Sequence, residues 1–164
     1  MRNKLVSRLI YSIILTSLFL QNLSAEIYWP TLQEGNKIFL IRHASAPGGG
    51  DPEGFKINDC STQRNLDKTG IDQSKKIGKL FKKKFIPIDE VLTSQWCRCR
   101  DTAKYAFKTY KEFSALNSVF QSPFIQNEEK QIREIREYIK NWKPKGKNLI
   151  MITHYSIITK LTSS

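Results

Sequence analysis

Apolar positions along this chain follow two rhythms. An almost unbroken apolar run, Leu9 to Leu20, comes first. Beyond it, short apolar runs alternate with longer stretches in which apolar residues recur every three or four positions. Lys37 to Ile41 (KIFLI) reads as a buried strand. It stops at Arg42-His43, and Pro47, the glycines 48–50 and Pro52 make the following segment a loop. From Asp67, the stretch DKTGIDQSKKIGKLFKKKF predicts a helix with Ile71, Ile77, Leu80 and Phe81 on one face, and Pro87 stops it. Glu90 to Thr93 (EVLT) predicts a second strand, Trp96 to Tyr110 a second helix, and Ala115 to Phe120 a weaker third strand. Glu128 to Trp142 places Ile132, Ile135, Ile139 and Trp142 at helical intervals, and Pro144 and Gly146 end that helix. Leu149 to Thr153 (LIMIT) is another buried-strand run. Strands alternating with helices predict an α/β domain with a largely parallel sheet.

The apolar run near the N-terminus changes what counts as the domain. It follows a segment with Arg2, Lys4 and Arg8 and no acid, and precedes QNLSA. That layout predicts a secretory signal peptide over residues 1–25, cleaved after Ala25, and a domain over residues 26–164. The competing reading is an uncleaved anchor, but a spanning helix needs about 20 apolar residues and this run is shorter. Cleavage leaves no stable membrane anchor and places the mature protein in the periplasm or outside the cell. The full chain has 164 residues, one domain's worth, and 27 Lys+Arg against 15 Asp+Glu give +12. Losing the three N-terminal bases lowers this to +9, which favours an anionic partner or substrate. Export also means an oxidising space. Cys97 and Cys99 lie two apart at a helix start, where i,i+2 side chains do not face each other. The expected disulfide therefore joins Cys60 with Cys97 or Cys99, the alternative being three buried thiols.

The candidate chemistry sits at strand ends. Arg42 and His43 follow KIFLI, Arg98 follows EVLT, and His154 follows LIMIT. Open α/β sheets place their ligand crevice beyond the C-terminal ends of the strands. Singly, each residue has an ordinary explanation as a solvated or packed polar side chain. Together they predict a cationic cup in which guanidinium forks bind phosphate oxygens and an imidazole acts as nucleophile or acid.

At these residues the sequence resembles a family. LIRHASAP resembles the Arg-His-Gly signature of the histidine phosphatase (phosphoglycerate mutase-like) superfamily, with Ala44 in place of Gly. TQRNLDKTGIDQSKKIG is similar to the segment in which a Leu and a following Gly open the family's first long helix. SQWCRCRDTA matches its Ser-x-x-x-Arg-x-x-x-Thr-Ala pattern at Ser94, Arg98, Thr102 and Ala103, and MITHYSIIT resembles its late strand–His segment. The four blocks occur in order, and the short chain looks more like a small exported phosphatase than a mutase. The resemblance implies a three-layer α/β/α sandwich with a mostly parallel central sheet, and a phosphomonoester hydrolase working through a phosphohistidine. It makes His43 the nucleophile and Arg42, Arg98 and His154 its catalytic partners. Arg42, Arg64, Arg98 and His154 bind substrate, with no cofactor and no metal. The implied substrate is a phosphorylated small molecule, glycolipid or protein, and no nucleic acid is expected.

Two parts of the pattern depart. Asn117 and Ser118 stand where the family's carboxylate acid is expected, leaving Asp51, Asp59 and Glu128 as candidate proton donors. After His154 only YSIITKLTSS follows, where the family adds another strand, so a truncated C-terminal edge is expected. The alternative function is a non-catalytic phosphate- or anion-binding module. Its basic patch of Lys75, Lys76, Lys79, Lys82, Lys83 and Lys84 would meet an envelope surface or nucleic acid.

Overall fold

The computed structural model describes residues 29–163; the expected signal peptide, residues 1–25, lies outside them. After helical residues 29–33 come β1 (Ile38–Arg42), α1 (Lys68–Lys83), β2 (Ile88–Thr93) and α2 (Cys97–Phe107). Then follow β3 (Lys111–Glu112), α3 (Glu128–Asn141), β4 (Asn148–Thr153) and α4 (Tyr155–Thr162). The strands form one sheet in the order β1-β4-β2-β3, and every pairing is parallel. No helix among the described residues is long and apolar enough to cross a membrane.

β4 organises the core. All six of its residues are buried, and because strand side chains alternate, it feeds both faces of the sheet. Leu149 and Met151 join Leu116, Ile132, Ile135 and Ile157 on the side covered by α3 and α4. Ile150 and Ile152 join Phe81, Trp96, Cys99 and Ala103 on the side covered by α1 and α2. The result is a three-layer α/β/α sandwich. The chain leaves β1 toward one face and leaves the adjacent β4 toward the other. That divergence opens a crevice at their C-terminal ends, where Arg42-His43 and His154 sit.

The helix over 68–83 packs Ile77 and Phe81 as expected, but not Leu80. Leu80 is exposed, and the packed side carries Gly70, Ser74, Ile77, Gly78 and Phe81. The small residues set the distances. A Cβ on Gly70 would lie 2.1 Å from the Ser45 carbonyl oxygen, and one on Gly78 would lie 2.0 Å from that of Ala106. Gly70 thus seats the start of α1 on the loop after His43, and Gly78 lets α1 and α2 touch backbone to backbone. Asp67 caps α1 by accepting from the Gly70 N–H at 2.7 Å.

The expected strand at Ala115 to Phe120 is not a strand. The third strand is the two-residue β3 upstream, and Ser114–Leu116 forms a 3₁₀ turn. Ala115, Leu116 and Val119 are apolar because they plug the core beneath α3. Buried Gln131 of α3 satisfies that plug by donating to the carbonyls of Ala115 and Asn117. α2 stops at Phe107 rather than Tyr110, where Lys108 takes a positive φ of 69°.

Candidate active site

His43 continues the β1 ladder, its N–H donating to the Thr153 carbonyl at 2.9 Å. The residue is 7% exposed and its Nδ1 lies 2.8 Å from the Ala44 carbonyl oxygen. A carbonyl can only accept, so Nδ1 carries the hydrogen and Nε2 keeps its lone pair. Burial pushes this imidazole down to about 4; the Ala44 carbonyl works the other way, while Arg98, Arg42 and Arg64 add to the fall. The ring is therefore neutral at pH 7, as a nucleophile requires.

Arg98, on the first turn of α2, is buried and gripped. Its Nη1 and Nη2 donate to the two Asp51 oxygens at 2.7 and 3.1 Å, and Nη1 also reaches the Arg64 carbonyl. The Trp96 indole and the Arg64 backbone N–H complete the shell around the Asp51 carboxylate. Burial alone would raise the Asp51 carboxyl, but its Arg98 hydrogen bond and charge, with those two donors, hold it below the usual range. Arg98 Nε and Arg64 Nε are buried N–H groups with no partner. Arg64 spends Nη1 on the Ala46 carbonyl.

His154 follows β4 and its ring centroid stands 5.4 Å from that of His43. Its Nε2 lies 2.9 Å from Ser94 Oγ and 3.4 Å from Cys99 Sγ, so Nδ1 is the nitrogen left for a ligand. Burial drives this ring well below its ordinary value, with the charge of Arg98 next. Arg42 is exposed at the rim, its guanidinium 6.0 Å from the Tyr155 ring centroid.

Arg42, His43, Arg64, Arg98 and His154 all line one cleft of about 280 Å³ beneath the Gly48–Gly50 loop. Ser156, on the first turn of α4, also lines it and holds a buried hydroxyl without a partner. Sequence reasoning missed Ser156, though its place just after a strand-end histidine, at a helix N-terminus, was a usable signal. A larger groove of about 820 Å³ runs along α3, but its lining holds no histidine. Arg42, Arg64, Arg98 and His154, with orphaned N–H and O–H donors, suit the oxygens of a tetrahedral oxyanion, and the His43 ring nitrogen with its free lone pair suits the central atom. Among the described residues no cluster of His, Cys, Asp or Glu is placed to hold a metal ion.

None of the three candidate proton donors lines this cleft. Asp51 points its carboxylate into the Arg98 fork, where four N–H donors engage it. Asp59 caps the 3₁₀ turn Cys60–Thr62 on the surface, its carboxyl lowered by Ser61. Glu128 pairs with Lys160 at 2.9 Å in the groove along α3. Asn117 cannot stand in, because an amide gives up no proton near neutral pH; it instead accepts from Ser94 Oγ and the Gln95 N–H and donates to Gln95 Oε1. The disulfide joins Cys60 to Cys97, beside Arg98, and Cys99 is a buried free thiol.

The sequence model of the histidine phosphatase superfamily (branch 1) matches residues 38–149. His154 lies beyond that match, and its place in the site rests on the geometry above. Among solved structures, the chain is similar to a putative alpha-ribazole-5'-P phosphatase from Escherichia coli K-12. The TM-score is 0.58 at 15% identity, over 77% of each chain. It is also similar to the putative phosphohistidine phosphatase SixA from Agrobacterium tumefaciens, with TM-score 0.50 at 17% identity, over 75% of this chain and 71% of that one. These likenesses show the shared fold. No curated protein matches the chain.

Proposed function

We propose that this chain, which belongs to the histidine phosphatase superfamily (branch 1), hydrolyses phosphomonoesters through a phosphohistidine on His43. The observation that carries this reading is the His43 ring, neutral and hydrogen-bonded through Nδ1, with Nε2 left for the cleft that Arg42, Arg64, Arg98 and His154 line. In the first step the Nε2 lone pair forms a bond to phosphorus, and the P–O bond to the leaving group breaks, its electron pair going to that oxygen. In the second step a water oxygen attacks phosphorus, the P–N bond breaks back to Nε2, and the water's proton passes to solvent. The three arginines, His154 and Ser156 hold the equatorial oxygens as charge builds on them.

With no carboxylate among the described residues that line the cleft, protonation of the leaving oxygen falls to water. The preferred substrates are therefore ones whose leaving group needs little help: acyl or anomeric sugar phosphates, and phosphoimidazoles already protonated on the second ring nitrogen, in which the P–N bond breaks in place of P–O. In this reading the chain is exported, and its substrate is a phosphorylated small molecule, glycolipid or protein of the envelope or exterior. The same lack of an acid favours a second reading, a phosphate-binding protein without turnover.

Rapid quenching into alkali decides between them. Incubation with para-nitrophenyl phosphate should leave a base-stable, acid-labile phosphate on His43 and release para-nitrophenol; His43→Ala should do neither while keeping its fold. Turnover persisting in a folded His43→Ala protein overturns the nucleophile. Phosphate bound without turnover in the wild-type protein establishes the second reading.

A further inference from the structure

A parallel sheet has two unlike edges. The C-terminal strand ends carry the cleft, and the opposite edge carries the strand starts. Ile38 pairs with Leu149 and Ile88 with Asn148, so β1, β2 and β4 begin side by side there. Three segments far apart in sequence meet at that edge: the approach to β1, the α1–β2 connection and the α3–β4 connection. They are stitched together. The Asn36 N–H donates to the Lys147 carbonyl at 2.8 Å, Asn148 Nδ2 to the carbonyls of Leu32 and Pro87, and Gln33 Nε2 to the Lys84 carbonyl.

Their joint composition is one-sided. Residues 29–37, 82–89 and 141–148 hold seven lysines (Lys37, Lys82 to Lys84, Lys143, Lys145 and Lys147) against two acids, Glu34 and Asp89. None of these lysines forms an ion pair with another described residue. Among them stands Phe85, 84% exposed and held at a φ of +52°. A bulky aromatic in the left-handed region, with its ring in water, is unfavourable on both counts. The chain reaches this same edge from its N-terminal side: the Lys84 ammonium lies 5.0 Å from the Trp29 ring centroid, and the apolar run Leu9 to Leu20 is upstream of Trp29 in sequence.

We propose that this edge docks on an anionic bilayer surface. The lysines meet lipid phosphates and Phe85 enters the headgroup region, with the catalytic cleft facing away. The occupant follows from charge complementarity, from the exposed aromatic, and from the apolar run that precedes Trp29 in sequence and would bring the chain to a membrane during export. Clustered lysines with an aromatic anchor give a docking that depends on lipid charge and on salt. The proposal is independent of the phosphatase reading.

The test uses the chain as an exporting host processes it, co-sedimented with vesicles of phosphatidylcholine alone or with about one third phosphatidylglycerol. Any retained N-terminal segment binds both compositions, so the readout is the ratio. At least ~tenfold stronger binding to the anionic vesicles is expected, abolished at about 1 M salt. Lys82→Glu/Lys83→Glu/Lys145→Glu should bring the ratio toward one. Phe85→Ser, which removes no charge, should weaken anionic binding several-fold. Both variants should retain wild-type turnover of soluble para-nitrophenyl phosphate, or wild-type phosphate binding if turnover is absent. Equal binding to both compositions, or anionic binding unmoved by either variant, overturns the proposal. So does salt-sensitive binding of duplex DNA without vesicle binding, which assigns the face to nucleic acid.

Discussion

His43 and His154 are the chain's two histidines, and both rings titrate below their ordinary value because they are buried among arginines. Two imidazole signals in a proton NMR titration report them directly, with His43 expected at about 4 and not near 6.5. The folded protein refuses protons that the unfolded chain accepts in that window. The His43 contribution, about 3 kcal/mol, is therefore present above pH ~6.5 and lost as pH falls toward 4. A His43 signal titrating near 6.5 would contradict the buried, arginine-flanked site. Asp51 carries a different prediction. Its pair with Arg98 is almost fully buried, 2% and 3% exposed, so Asp51→Asn should destabilise the protein by ~3–5 kcal/mol in urea unfolding. As a positioning residue it should also lower kcat far more than KM, and Asp51→Glu should recover part of that loss. Loss of stability with unchanged kcat would reduce it to a folding residue. Arg98→Ala should remove at least ~2 kcal/mol of transition-state stabilisation.

Helix α1 shows what an element can conceal. Its C-terminal turn ends in Lys82 and Lys83, which suit the negative end of the helix dipole, and Phe85 two residues beyond takes a conformation that glycine adopts freely. Phe85→Gly should therefore raise the denaturation midpoint, by about 1 kcal/mol of relieved strain, because the ring contributes almost no burial. A lowered midpoint would mean that the ring packs in solution. The Cys60–Cys97 bond, spanning 37 residues, ties the loop bearing Gln63 and Arg64 to the start of α2, and Gln63 also accepts from the Cys97 N–H. Reduction should cost ~2–4 kcal/mol and depress turnover together, because Arg98 adjoins Cys97. Peptide mapping that finds all three thiols alkylatable in protein produced in an oxidising compartment removes the basis for that expectation. The apolar runs of β1, β2 and β4 and the helical spacing of α1 and α3 were legible in the sequence, since local periodicity reports them, but β1, read as a buried strand, lies at the sheet edge and is only half-buried. The 114–116 turn was not, because Leu116 and Val119 look alike whether they pave a strand or plug a core from a loop. The partnership of Asp51 with Arg98 was also hidden: it sits 47 residues away and only the fold closes that distance.

At the scale of the molecule, cations gather at both edges of one sheet for different reasons. Three arginines converge on the cleft and seven lysines lie at the opposite edge; the sequence marked Lys82, Lys83 and Lys84 as part of a basic patch, but only the parallel topology brings Lys37, Lys143, Lys145 and Lys147 to them. Between the edges lies Cys99, fully buried, its thiol pushed up to about 12 by burial and its sulfur 3.4 Å from His154 Nε2. That placement makes it a native stopwatch. A thiol reagent reaches Cys99 only when α2 parts from the end of β4, so its labelling rate counts openings of the layer that supports His154. Inorganic phosphate, bound across that layer, should slow labelling in proportion to its occupancy. Labelling indifferent to saturating phosphate would mean that the layer opens without disturbing the ligand.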